Sequence, residues 1–191
     1  GAKSRMFFAL LTIGYTIKSD GSGGSYGYGK AGLISSTATR TVIAYSCFKE
    51  EENDPGVTRR LLGVNYWKPH KILENDFTGF GRFGAPTGEN TCKPFENEEA
   101  DRQAELLGLV KRSVNNEEEI GTTFLIIEPT VDPEQLVRAI ERNWWPALTD
   151  KDGFEVSVTD YNSQEFFPSP KERPELKAFI AAYELAKGKK P

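Results

Sequence analysis

Two β-prone runs separated only by a charged turn constrain this chain more than any other feature. Residues 41–48 read TVIAYSCF, residues 49–56 read KEEENDPG, and residues 57–67 read VTRRLLGVNYW. β-Branched and aromatic side chains fit a pleated, half-buried surface, and an acidic stretch ending in Pro-Gly suits a solvated hairpin end. Strands that follow one another without an intervening helix favour an antiparallel or mixed sheet over a doubly wound parallel one. Gly63 interrupts the second run and reads as a bulge. Cys47, inside the first run, reads as a buried strand residue.

The flanking segments fill in an α+β pattern. Residues 5–13 are either the end of a helix or a short strand, because an apolar run of that length does not decide. Residues 31–38 suit a short, closely packed helix. Residues 76–83 (DFTGFGRF) read as a third strand, residues 85–95 as a loop, and residues 97–109 as a helix with Ala100, Ala104, Leu106 and Leu107 on one face. Residues 120–128 (IGTTFLIIE) carry a continuous apolar run and predict a buried strand. Asp132 then caps a helix with Pro133 at its first position. Leu136, Ile140 and Trp144 fall at helical spacing, and Trp144 and Trp145 are assigned to packing. Residues 154–159 (FEVSVT) alternate as a last strand. From Pro174 an amphipathic helix sets Leu176, Phe179, Ile180 and Tyr183 on one side. The expected architecture is an α+β two-layer sandwich, a mostly antiparallel or mixed sheet with helices on one face. It divides into an N-terminal segment 1–23, a glycine-rich and sheet portion 24–165, and a C-terminal helix 166–191.

Composition narrows the chemistry. With 38% hydrophobic and 27% charged residues over 191 positions, the chain reads as globular and soluble. It has no run of about 18 apolar residues, so no membrane span is expected. A net charge of −4 argues against a domain devoted to gripping nucleic-acid backbone. Cys47 and Cys92 match no zinc spacing, and two thiols make no disulfide framework, so a reducing cytoplasm is expected. His70 is the only histidine and is assigned a structural or surface role; His-based triads and multi-histidine metal sites are excluded.

The stretch GSGGSYGYGK (21–30) holds five glycines and a lysine. Gly24 and Gly29 have the four-residue separation of a Walker A loop, and Lys30 follows, but Ala31 stands where a magnesium-binding hydroxyl is needed. A dinucleotide fingerprint also fails, because the next strand belongs to no parallel βαβ unit. Glycines permit close backbone approach, and a helix starting near Lys30 would favour an anion there. On the residues alone, the loop is either a phosphate cradle or a connector over a sheet edge.

The stretch GGSYGYGKAGLISSTATRTVIAYS resembles the second glycine box of the GHKL ATPases, the superfamily of the Hsp-ninety chaperones, MutL-type repair proteins, MORC proteins, type II topoisomerases and sensor histidine kinases. In the chaperone-like branch this box reads G-x-[FY]-G-x-G before a helix and a strand, and Gly24, Tyr26, Gly27 and Gly29 match it in order. Gly121-Thr122 resembles the family's later Gly-Thr pair, which opens a strand beneath the adenine. The likeness covers about residues 13–159, and the long insertion between the boxes is most similar to bacterial chaperone-like ATPases. It implies that backbone amides of Gly24, Ser25, Tyr26, Gly27, Tyr28, Gly29 and Lys30 hold the triphosphate. It further implies that Thr122 hydrogen-bonds around the adenine, and that Lys18, in a lid-like segment, reaches a phosphate.

The family's water-activating glutamate, its magnesium-binding asparagine and its D-x-G-x-G box have no counterpart before Gly21. The resemblance therefore implies the C-terminal, ATP-binding portion of an ATPase domain. No catalytic or metal-binding residue is assigned to this chain. ATP and Mg2+ belong to the intact protein, a possible homodimer, and nucleotide binding by the portion alone is expected to be weak. Two other readings stand beside it. One is a non-enzymatic protein-interaction module using the sheet face or Trp144-Trp145. The other is a nucleic-acid module using Arg59, Arg60, Lys68 and Lys71 with Tyr66 and Trp67 between them.

Overall fold

The computed structural model describes residue 10 and residues 29–51, 54–89, 91–150 and 155–188. The expectations for residues 14–28, and for 5–13 apart from Leu10, fall outside them. Contacts divide the chain into two units, Gly1–Thr130 and Val131–Pro191. In order, the first holds α1 (Gly29–Ser35), β1 (Thr41–Cys47), β2 (Arg59–Tyr66), β3 (His70–Ile72), β4 (Asn75–Phe77), β5 (Phe80–Phe83), β6 (Ala85–Gly88), β7 (Thr91–Lys93), β8 (Phe95–Glu96), α2 (Asn97–Leu106) and β9 (Gly121–Ile126). The second holds α3 (Pro133–Thr149), β10 (Val158–Thr159), β11 (Glu165–Phe166) and α4 (Lys177–Ala186).

The first unit is built on β1. It pairs antiparallel with β2, Thr41 opposite Asn65 through Cys47 opposite Arg59. On its other side it pairs antiparallel with β9, Val42 opposite Ile126 through Cys47 opposite Gly121. Beyond β2 lie β5 and the short β8, giving the order β5-β2-β1-β9 with β8 also on β2. Every described strand pair is antiparallel. The expected α+β class and antiparallel pairing are therefore present.

Side chains alternate across the sheet. Val42 and Ala44 join Leu62 and Val64 on one face, under Leu10 and Ile34, with Leu33 packed against them. Ile43 and Tyr45 join Leu61 on the other, with Phe95, Ala100 and Ala104. Helix α1 thus backs one face and α2 the other, where helices on a single face were expected. The reason lies in the runs themselves: β1 is buried from Val42 to Cys47, so both of its faces need cover. Each fully buried valine or leucine contributes about 2 kcal/mol.

Several local expectations change. Gly63 makes no bulge; it sits in regular register between Ile43 and Phe83. A β-carbon there would lie 3.0 Å from Ile43 Cγ1 and 3.0 Å from Phe83 Cβ, so the glycine lets its neighbours close over it. The single strand expected at 76–83 is broken by Gly79, where φ is +78° and a β-carbon would run into the carbonyl oxygens of Trp67 and Lys68, leaving no room for a side chain. Residues 85–95 are not a loop: β6 and β7 form a hairpin with a register shift between Pro86 and Gly88, and β8 follows. In α2, Ala100 and Ala104 are buried as expected, but Leu106 is 71% exposed. β9 is an edge strand among the described residues, and Phe124 is 42% exposed.

In the second unit, α3 opens on the expected cap. Asp132 Oδ1 accepts from the Gln135 amide at 2.8 Å, Gln135 Oε1 accepts from the Asp132 amide at 3.3 Å, and Pro133 follows the cap. Its inner face is Val137 and Glu141, not Leu136 and Trp144, which are exposed. The cause is polar: Glu141 accepts from the Ser169 amide at 2.9 Å and from Arg173 Nε at 2.5 Å, so a buried carboxylate sets the helix rotation. Trp145 meets the Tyr183 ring edge-on at 5.3 Å, and α4 buries Ile180 while Phe179 is exposed. Of the expected strand at 154–159, residue 154 lies outside the described residues, and among 155–159 Val158–Thr159 form the strand, paired with Glu165–Phe166. No helix among the described residues is long and apolar enough to cross a membrane.

The packing at Gly63 is testable. Gly63→Val lowers the unfolding free energy by about 2 kcal/mol, as overpacking a closed core does. Urea unfolding measures it, and an unchanged midpoint would contradict the register.

Candidate functional site

Of the resembling motifs, the described residues are Gly29, Lys30 and the Gly121-Thr122 pair. Helix α1 begins at Gly29, with Lys30 in its first turn. Gly24, Ser25, Tyr26, Gly27, Tyr28 and Lys18 lie outside the described residues. Beyond α1 the chain is stitched to the far end of β9. The Ser36 carbonyl accepts from the Thr130 amide at 2.8 Å and from Thr130 Oγ1 at 3.1 Å, and the Ala38 amide donates to the Glu128 carbonyl at 2.9 Å. These bonds anchor the helix that follows the glycine box to the strand that Gly121-Thr122 opens.

Thr122 stands opposite Ser46 in the β1–β9 register, and their hydroxyl oxygens are 2.7 Å apart. Ser46 alternates with Val42 and Ala44, so the hydroxyl pair lies on the face that α1 covers. Thr122 is exposed and Ser46 is buried. In the same row, opposite Ser46 on β2, stands buried Arg60. Its guanidinium is bound by Asp54 and by Glu96, 3.2 Å away, and lies 5.5 Å from the centre of the Phe48 ring. The Arg60 contact holds the Asp54 carboxyl below its usual range. This end of the face therefore offers neutral hydroxyls beside a cation already matched by two carboxylates.

The opposite face carries a polar network that pattern reading missed. Asp101, on α2 and buried, accepts the Tyr45 hydroxyl at 2.7 Å. Arg59 Nε lies 2.8 Å from Asp101 Oδ1 and 2.9 Å from Oδ2, and Lys111 Nζ is 3.6 Å from Oδ2. The Tyr45 oxygen accepts in turn from the Arg112 amide at 3.2 Å. The Arg112 guanidinium donates to Thr123 Oγ1 and to the Glu119 carbonyl oxygen. Among the described residues no buried side-chain nitrogen or oxygen lacks a partner. A saturated network of this kind fixes structure and has no free group to act as a base. Its one sequence signal was a charged residue, Asp101, beside Ala100 and Ala104 on the apolar stripe of α2.

Burial pushes the Cys47 thiol up, away from the reactive thiolate. His70 is exposed, with Nδ1 2.9 Å from the Lys68 carbonyl oxygen and its ring stacked on Phe77. Of the four basic residues considered for nucleic acid, Arg59 and Arg60 are committed to carboxylates, and Lys68 and Lys71 are exposed. No protein-family model, curated protein or solved structure matches the chain.

Two outcomes test the network. Asp101→Ala strands Arg59 beside a lost partner and costs about 3 kcal/mol of unfolding free energy. Burial, aided by the Asp101 carboxylate, pushes the Tyr45 hydroxyl up from 10.0 to about 12. The folded state keeps this proton where the unfolded chain loses it, so the contribution is complete below pH 10 and lost as pH rises toward 12. Thermal unfolding of the wild type therefore falls more steeply across that window than that of Tyr45→Phe. Parallel curves would remove Tyr45 from the account.

Proposed function

We propose that this chain is an ATP-binding portion of a chaperone-like GHKL ATPase domain, with a Bergerat-type sheet. The observation that carries the reading is the shared face: the strand opened by Gly121-Thr122 pairs directly with the strand that follows the glycine box, and Thr122 points to the side that α1 covers. Backbone amides of residues 24–30 hold the phosphates, and glycines there let the ligand approach the main chain. The Thr122 hydroxyl, already engaged with Ser46, bonds the adenine edge directly or through a water. Lys18 and Lys30 add charge near the phosphates.

The reading assigns binding, not hydrolysis, to these residues. Among the described residues no group of three or more His, Cys, Asp or Glu could hold a metal ion. Cytoplasmic location and homodimerisation belong to the same proposal.

Fluorescent-ATP titration tests it. The wild type binds weakly but saturably, Gly27→Val abolishes binding, and Thr122→Val weakens it by about tenfold, the worth of one hydrogen bond. Saturable binding that Gly27→Val leaves intact, or no binding by the wild type, would refute the assignment.

A further inference from the structure

Two hollows are lined in part by Phe77, near β5, at the other end of the strand order from β9. The larger, about 960 Å³, is bounded by residues of β4, β5 and the β6–β7 hairpin, among them Asp76, Phe77, Phe80 and Arg82. The smaller, about 170 Å³, is lined by Asn65, His70, Phe77 and Phe80, with glycine backbone at Gly79 and Gly81. Phe77 is 46% exposed, and His70 backs its ring in a parallel stack at 5.5 Å. The ring is thus held in place, with its other side left for a ligand. Beside it, the Arg82 guanidinium lies 5.1 Å from the centre of the Phe80 ring and meets no carboxylate among the described residues. A guanidinium seated on a ring keeps its N–H donors for an anion.

The lining chemistry selects the occupant. An apolar segment would desolvate Arg82 and Asp76 without compensation. A planar ring with amino groups on its edge, joined to a phosphate, satisfies all three features: the exposed ring, the Asp76 carboxylate and the free guanidinium. The hairpin stem adds exposed Trp67 and Lys68, and among the described residues Lys71 has only Glu74, at 4.0 Å, as a carboxylate partner. An aromatic platform beside cations that track a backbone is the pattern of single-strand binding.

We propose that these hollows hold a single-stranded nucleic acid, with a base stacked on Phe77 and a neighbouring phosphate on Arg82. The site is independent of the ATP reading and shares no residue with it. Fluorescence anisotropy with a labelled oligodeoxycytidylate and a labelled oligocytidylate tests it, with cytidine monophosphate as the free-nucleotide arm. The wild type binds the strands, more weakly as salt rises. Phe77→Leu weakens binding about tenfold, the effect of losing one base–ring stack. Arg82→Gln lowers the salt slope by about 0.7, as expected for one phosphate contact. Thr122→Val, on the other site, binds strands as the wild type does. Arg82 is exposed, so its variant remains informative if Phe77→Leu fails to fold. The proposal is overturned if neither strand binds at low salt, or if folded Arg82→Gln keeps the wild-type affinity and slope. It is also overturned if the monophosphate binds as tightly as the strands, which would make the occupant a free nucleotide.

Discussion

One buried carboxylate organises the larger unit. Asp101 sits on α2, and its two oxygens bring together Tyr45 from β1 and Arg59 from the start of β2. Without partners, a charge in that position would cost several kcal/mol. With them, it fixes where α2 lies on the sheet. The Tyr45 oxygen then receives the Arg112 amide, and Arg112 reaches β9 through Thr123. Helix, central strand and edge strand are therefore registered by one polar chain running through an otherwise apolar layer of Ile43, Leu61, Phe95, Ala100 and Ala104. Hydrophobic burial drives these elements together, but it has no direction; the network supplies the registry.

That arrangement separates the two faces of the sheet by role. On the α2 face, no buried side-chain nitrogen or oxygen among the described residues lacks a partner. The α1 face carries the exposed Thr122 hydroxyl over buried Ser46 and is tied to the end of the glycine-box helix through Ser36, Ala38, Glu128 and Thr130. A ligand site needs some polar groups left available on a rigid support. For the proposed site that support is β1, whose burial on both sides follows from its own composition.

Much of this was legible in the residues, and the gaps have physical causes. The β1–β2 hairpin followed from β-branched runs around a Pro-Gly turn, and the α3 cap followed from Asp132 and Pro133, because those signals are local. Residues 85–93 lack alternation, so the hairpin they form through backbone bonding was not visible. The face of α3 was misjudged because the periodicity counts apolar side chains, while the helix turns on buried Glu141. Arg59 and Arg60 looked like a basic patch because their carboxylate partners, Asp101, Asp54 and Glu96, approach only in three dimensions. For the candidate site, the sequence offered the glycine box and Gly121-Thr122 as separate motifs. That Thr122 lies on the face covered by the helix after the glycine stretch depends on the β1–β9 register, which no spacing along the chain encodes.

The central claim is that ATP occupies the α1 face and leaves the Asp101 network alone. Amide hydrogen exchange with and without saturating ATP tests it most directly. The account predicts added protection in residues 24–36 and at 121–123, with residues 100–112 unchanged. Protection appearing in residues 100–112, or none in the glycine box, would contradict it.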